Sequence, residues 1–535
     1  MANKNTKYIF VTGGVLSGVG KGITAASVGA ILKGQGFNVS IQKFDPYYSV
    51  DAGLLNPAKH GECFVTKDGA ETDLDLGHYE RFLDIETTNS CIYTSGKIMQ
   101  SVINAERAGK FGGNDVQLIP HITGVIQDSI ENTAKEFGSD FHIIEIGGTV
   151  GDLEGVHFVE SIREFPERVG RDNCLYVHVV YIPFLTTSRE FKTKPAQNSI
   201  HDLRTYGITP DMVVARMEET GPNSIANKIA TFTGVSEDSV VLFPNASSVY
   251  DVPLNAIENG ILKPLNKFTG ETSKPDMKVW EELHERIVKP KSQSVTVGLV
   301  AKYITNSDTY MSVTEALKSA AFAAGVDLEI KWINAEKATD KDFATVDGLV
   351  VPGGFGTRGI DGKIAAADYA LENDKPYLGL CLGLQVAVIA AARRGGLTKA
   401  NSEEFDDGTS ENVVYIMEDQ KGKQSTGGTM RLGDYPAKLK EGTLTEKVYG
   451  AKNIVERHRH RYEVNQKFLP EIAKGGVVVS GTSPDGKLVE FIEAPENRFF
   501  VATQAHPEFR SRPTRPHPLF LEFVKSITEN ANENL

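Results

Sequence analysis

The sequence predicts an α/β protein with two parallel-sheet domains, and three observations carry that reading. Short apolar runs recur between helix-like stretches. Several of these runs end in glycine-rich turns, among them Gly13-Gly14 in the first half and Gly353-Gly354 in the second. A proline-punctuated, charged segment at 264–292 separates one α/β series from the next. A chain of 535 residues is too long for one ordinary core. Hydrophobic residues at 40% and charged residues at 24% describe a soluble globular protein. The net charge of −13 argues against general binding to nucleic acid or membrane surfaces, though local basic pockets remain open. Cys63, Cys91, Cys174 and Cys381 are widely spaced and form no paired metal-ligand pattern, so a reducing cytoplasm is expected. Met1–Asn5 runs straight into a strand, so no signal peptide is expected. No apolar stretch approaches the ~20 residues that span a bilayer.

The first element is the apolar run Tyr8–Val11, which ends in Thr12-Gly13-Gly14. A helix-like stretch from Gly22 to Lys33 and a second β-rich run, Asn38–Gln42, complete a βαβ opening, the mark of a parallel sheet. Phe141–Ile146, Leu175–Tyr181 and Met212–Ala215 are apolar enough for central strands. Residues 1–266 therefore form one expected domain, 267–292 a linker with a helical patch at Val279–Leu283, and 293–535 a second domain. In the latter, strands are expected at Ser294–Val300, Leu328–Trp332, Val346–Val351 and Pro376–Leu380.

Gly13-Gly14-Val15-Leu16-Ser17-Gly18-Val19-Gly20-Lys21-Gly22 lies between a strand and a helix. Backbone N–H groups there can converge on phosphate, with the helix N-terminus adding positive charge and Lys21 reaching terminal phosphates. The loop is P-loop-like only, because Val15 takes the first glycine position and Gly22 replaces the Ser/Thr that binds Mg²⁺. A plain glycine-rich turn is the competing reading. Carboxylates elsewhere would then hold the metal. One source is Glu71–Arg81, where an extended segment would put Asp73 and Asp75 on one side and a helix would separate them. The other is Glu145, an acid within an apolar strand, expensive to bury unless paired or metal-bound. Lys192-Thr193-Lys194-Pro195-Ala196-Gln197 looks extended; its lysines could clamp a second polyphosphate or be ordinary surface charge.

In the second half, Gly379-Leu380-Cys381-Leu382-Gly383 places a thiol on a strand-to-helix turn between small neighbours. Far downstream, Gln504-Ala505-His506-Pro507-Glu508 offers a base and a carboxylate to orient it. Pro352-Gly353-Gly354-Phe355-Gly356 follows a strand and could donate N–H groups to an oxyanion together with Leu382. A lone cysteine is usually a small buried hydrophobe, but this combination favours a nucleophile. Glu456–Glu463 holds three arginines and two histidines; in a strand they would occupy opposite faces. It reads either as a carboxylate clamp or as a solvated basic strand, while zinc lacks supporting ligands.

Taken together, these segments resemble the CTP synthases over almost the whole chain. The resemblance rests on Gly13–Gly22, Gly61-Glu62, Asp68–Arg81, Gly147–Asp152, Lys192–Pro195, Gly427–Gly433 and Arg457–Glu463. The second half alone resembles a class I glutamine amidotransferase. The resemblance implies an N-terminal P-loop-like amidoligase (synthetase) and a C-terminal α/β glutaminase. ATP would phosphorylate the 4-oxygen of UTP, and ammonia released from glutamine would displace that phosphate to give CTP. It further implies ATP contacts from Ser17, Gly18, Val19, Gly20, Lys21, Gly22, Lys43 and Asp75, with Asp75 and Glu145 on Mg²⁺. UTP or feedback-inhibiting CTP would meet Ser17, Asp152, Leu153, Glu154, Lys192, Thr193, Lys194, Pro195, Ala196, Gln197, Lys228 and Phe232. In the glutaminase, Cys381 would be nucleophile, His506 base and Glu508 its orienter. Gly354, Leu382, Gly383, Leu384, Gln385, Glu404 and Arg461 would hold glutamine and its oxyanion. An internal ammonia passage, GTP activation, a homotetramer and a cytoplasmic location are implied as well. The chain departs from the family's usual residues at Ser49–Pro57, Cys63, Ala301–Tyr310 and Ala505.

Two rivals are an amidoligase acting on a carboxylate-bearing acceptor, which would leave UTP untouched, and a nucleotide-binding assembly protein without catalysis. The presence of Lys21, Asp75, Glu145, Cys381, His506 and Glu508 argues against the second.

Overall fold

The apolar runs of the first half become seven parallel strands: β1 (Lys7–Gly13), β2 (Val39–Asp45), β3 (Ile92–Thr94), β4 (Phe141–Ile146), β5 (Cys174–Tyr181), β6 (Met212–Met217) and β7 (Val240–Pro244). This is a computed structural model describing residues 6–304, 306–406, 408–417, 420 and 428–533. Met1–Asn5, Thr305 and Gly427, all named in the motifs above, lie outside the described residues. The strands are ordered β7-β6-β5-β1-β4-β2-β3. Almost every residue of β1, β2, β4 and β5 is buried, as a sheet covered on both faces requires. The order turns around β1, which stands between β5 and β4. Ligands of open α/β sheets bind beyond the carboxyl ends of strands at such a switch point. Helix α1 (Lys21–Gly34) follows β1, and helix α2 (Lys194–Thr205) precedes β6.

A second sheet has nine strands: β8 (Ser294–Ala301), β9 (Asp327–Asn334), β10 (Gly348–Val351), β11 (Tyr377–Leu380), β12 (Arg431–Leu439), β13 (Asn453–His460), β14 (Val478–Thr482), β15 (Val489–Glu493) and β16 (Phe500–Thr503). Their order is β9-β8-β10-β11-β16-β15-β14-β12-β13, parallel through β16 and antiparallel beyond it. The two-residue side-chain period divides the core between its faces. Leu349, Val351, Tyr377, Phe500 and Ala502 pack with helices α3 (Ile360–Glu372) and α4 (Leu382–Arg394). Val350, Leu378, Leu380 and Val501 pack on the other side with Leu317, Phe520 and Phe523.

The chain forms two compact units, residues 1–51 with 78–284, and residues 52–77 with 285–535. Residues 52–77 therefore belong with the second half of the sequence. Two contacts tie them there: Arg459 donates to Glu71 at 2.8 Å, and Arg457 to the Val65 carbonyl at 3.0 Å. Much of 267–292 is folded, with a helix over Lys278–Val288. Trp280 from this helix packs on Phe82, with ring centroids 5.3 Å apart.

Two local readings change. Lys192–Gln197 is not extended, because Lys194 opens α2; Pro195 fits its first turn, where a missing N–H costs nothing. Arg457–His460 is not a solvated strand, since Arg457, His458 and His460 are buried. The expected alternation holds in β13: the two imidazoles meet on one face, Nδ1 of His458 lying 3.0 Å from Nε2 of His460.

Candidate active sites

The loop between β1 and α1 is built by close approach. A Cβ on Gly14 would lie 1.7 Å from the Ser199 hydroxyl on α2, and one on Gly13 would strike the Lys21 stem. Gly18 and Gly20 have φ of 72° and 96°, a region that favours glycine. Ser17 and Gly18 are exposed, whereas Val19, Lys21 and Gly22 are buried. Lys21 is only 7% exposed and donates to the Gly148 carbonyl at 2.7 Å. The Val150 N–H donates to Gly13 O at 2.9 Å. The loop thus meets Gly147–Asp152 on one side and α2 on the other. His178 of β5 joins the Thr12 hydroxyl at 2.8 Å and Ser199 at 2.8 Å; burial pulls it down to about 3, so it is neutral.

The other expected groups of this unit lie as follows. Lys43 pairs with Asp45 at 3.3 Å, both buried. Glu145 is buried in β4, in register with Lys43 of β2, and accepts the Tyr79 hydroxyl. Asp152, Leu153 and Glu154 are exposed, and Asp152 accepts the Thr149 N–H at 3.0 Å. Lys192 pairs with Glu190, while Thr193 and Ala196 are buried and Gln197 donates to the Thr193 hydroxyl at 3.1 Å. Lys228 and Phe232 lie exposed on the helix Ser224–Thr233. Sequence reasoning missed Arg216 of β6. Its guanidinium reaches the Gly18 carbonyl at 3.5 Å, and a Cβ on Gly20 would stand 2.9 Å from it. A cation one strand beyond β5 carries no local motif. Asp75 belongs to the second unit. It opens the helix Asp75–Leu83, its N–H held by Asp73 at 3.1 Å, so the two acids are joined by a turn and not by strand alternation.

At the end of β11, Cys381 has φ 52° and ψ −99°. The bend therefore lies at the cysteine itself, a conformation costly for a side chain and found where function holds it. The flanking glycines serve packing: a Cβ on Gly383 would sit 2.2 Å from Val351 O, and one on Gly379 would sit 2.8 Å from Ala502 Cβ. The Cys381 N–H is anchored on Thr503 O at 2.8 Å, and Gln504 donates to its sulfur at 3.7 Å. His506 arrives from beyond β16, its N–H on Arg457 O at 2.7 Å and its ring stacked on Phe509. Its Nδ1 lies 2.7 Å from Glu508 Oε1, while Nε2 is buried with no hydrogen-bond partner among the described residues. Burial alone would lower this imidazole; the charges of Glu508 and Cys381 outweigh it and raise it to about 10.

Gly353 completes the contact, since a Cβ there would lie 2.8 Å from His506 Cε1 and 3.6 Å from Cys381 Cβ. Gly354 has φ 155°, and Leu382 is the first residue of α4. Gln385 donates to Tyr462 O at 3.2 Å and Gln504 Oε1 at 3.4 Å. Glu404 accepts the Gly356 N–H at 2.6 Å, and burial raises its carboxyl against the opposing pull of Lys302 and Arg461. Gly383 and Leu384 are buried within α4. One cavity joins Cys381, His506 and Gly354 to Gly53, Leu55 and Cys63 of the 52–77 segment.

We expect Glu508→Gln to lower the turnover of glutamine by ~10²–10⁴-fold, because Nδ1 would lose the carboxylate that orients and charges the ring. Steady-state glutaminase kinetics check this; an unchanged kcat would remove Glu508 from the site.

The fold and these geometries fit a two-part enzyme class, a parallel-sheet synthetase domain and an α/β domain of the class I glutaminase type in one chain. The family model described as CTP synthase N-terminus matches residues 7–269, and that of glutamine amidotransferase class-I matches residues 306–526. The CTP synthase of Carboxydothermus hydrogenoformans is 51% identical over 97% of this chain and 98% of its own. That of Acaryochloris marina is 50% identical over 98% of this chain and 96% of its own. A solved structure of the Trypanosoma brucei CTPS glutaminase domain with bound acivicin shares 38% identity, covering 44% of this chain and 94% of that one, with a TM-score of 0.42. The chain belongs to the CTP synthase family.

Proposed function

We propose that the chain aminates UTP to CTP at the expense of ATP, with nitrogen drawn from glutamine. The observation that carries this reading is the Cys381–His506–Glu508 constellation within a chain matched over 97% of its length by a CTP synthase. In the glutaminase (293–535), His506, the base, already holds the thiol proton when Cys381 attacks the glutamine amide carbon. The C–N bond breaks, ammonia leaves with the proton returned by His506, and water later frees glutamate. Gly354 and Leu382 donate to the oxyanion; Gly383, Leu384, Gln385, Glu404 and Arg461 hold the substrate.

In the synthetase (1–266), with 267–292 as linker, the 4-oxygen of UTP attacks the γ-phosphorus of ATP and ADP leaves. Ammonia then adds at C4 and expels phosphate. Ser17–Gly22 and Lys43 cradle ATP, Lys21 placing a cation where charge develops. UTP is met by Lys192–Gln197, Lys228 and Ser17, and inhibitory CTP by Asp152–Glu154 and Phe232. Buried Glu145 and helix-opening Asp75 supply hard carboxylate oxygens, the donors that suit Mg²⁺ beside phosphates. When bound, Mg²⁺ would neutralise phosphate charge. Ammonia travels internally, because most free ammonia near neutral pH is protonated and not nucleophilic.

GTP activation and a homotetramer belong to the same reading. So does a cytoplasmic site; no helix among the described residues is long and apolar enough to cross a membrane. Incubation with ATP, UTP, Mg²⁺ and either glutamine or ammonium, followed by nucleotide chromatography, tests the proposal. CTP is expected from both donors, and none from either would overturn it. Conversion of a carboxylate-bearing acceptor with UTP untouched would favour the rival amidoligase.

A further inference from the structure

Lys363 is an anomaly of the second unit. It lies on α3 with no measurable exposure, among the alanines and aliphatic residues that cover one face of the sheet. A methionine would fill that volume without the penalty of burying an amine. Among the described residues its Nζ donates to the Pro352 carbonyl, at 2.8 Å. Pro352 has no N–H, so that carbonyl is its only backbone polar group, and it begins the loop Pro352–Gly356 beside Cys381.

A trans peptide is planar, with the carbonyl and the following N–H on opposite sides. Fixing one therefore aims the other. The far end of the same loop shows the effect. Buried Lys302 donates to the carbonyls of Phe355 at 2.6 Å and Gly356 at 2.8 Å. The Gly356 N–H, across the peptide from Phe355 O, meets Glu404 at 2.6 Å. Glycines leave the intervening backbone with little preference of its own. Gly354 in particular sits at φ 155°, and Gly353 abuts both His506 and Cys381.

We infer that Lys363 is a positioning residue for glutamine hydrolysis: by holding the Pro352 carbonyl it fixes the Pro352–Gly353 peptide, and with it the start of the glycine loop from which the next peptide presents the Gly354 N–H to the oxyanion. Lys302 anchors the other end. This deepens the glutaminase reading above and rests on it. Burial and the charge of Lys302 push the Lys363 amine well down, and in either protonation state it donates to Pro352 O.

The test is Lys363→Met in the full chain, beside the wild type. Losing the anchor should lower kcat for glutamine hydrolysis about tenfold or more, as loss of an oxyanion donor does, with a smaller change in KM. Ammonium-dependent CTP formation should persist, which also reports folding. Alkylation of Cys381 by iodoacetamide, read by peptide mass spectrometry, forms no oxyanion and should keep its wild-type rate. An unchanged kcat would overturn the inference. So would alkylation falling in step with kcat, which would mean that Lys363 acts on the thiol. Loss of both CTP-forming activities in a less stable protein would make the lysine merely structural and also overturn it. A wild-type chain inert toward glutamine would instead overturn the parent reading.

Discussion

Cys381→Ala should abolish glutamine-dependent CTP formation, by at least ~10³-fold, and leave ammonium-dependent formation in place. In the proposed reaction the thiol forms the acyl bond whose formation expels ammonia, and neither His506 nor the Gly353–Gly354 loop could replace it. Alanine suits the site: Cys381 is a small buried residue whose backbone is held by Thr503 O at 2.8 Å. Lys21 on α1 and Glu145 in β4 stand in the other sheet system. Supplying ammonium should therefore bypass the lesion. The two rates, measured on one preparation of folded mutant, check this. Loss of both would show that the two chemistries are not separable.

Lys21→Ala should do the reverse. Its buried ammonium reaches Gly148 O at 2.7 Å from the first turn of α1, where backbone N–H groups and the helix dipole also favour anions. Phosphoryl transfer depends on cations placed against developing charge, so CTP formation from either nitrogen donor should fall ~10²-fold or more. Basal glutamine hydrolysis should continue, since Cys381, His506 and Glu508 are untouched. Paired assays of glutamate and CTP release read the split. A mutant that still makes CTP at the wild-type rate would remove Lys21 from phosphate binding.

Much of this was legible in the sequence because local rules act over short spans. The Cys381 turn announced itself through glycines at close spacing, although their reason proved to be tight packing against Val351 O and Ala502, with the bend on the cysteine itself. The strands appeared as apolar runs because both sheet faces are covered. What was not legible depends on distant contacts. Nothing in 52–77 hints that Glu71 meets Arg459, 388 residues away. Lys302 and Lys363 look like surface lysines until the fold buries them. Arg216 has no motif, and Lys192–Gln197 looked extended because Pro195 masks the start of α2.

The central claim is that one chain releases nitrogen at Cys381 and installs it on a nucleotide activated near Lys21. The most direct measurement supplies ATP, UTP, Mg²⁺ and glutamine carrying heavy nitrogen only in its amide, with unlabelled ammonium too dilute to sustain synthesis. Mass spectrometry of the product should find the label on the exocyclic nitrogen of CTP, one heavy atom per molecule formed. Unlabelled CTP, or glutamate released with UTP unchanged, would contradict it.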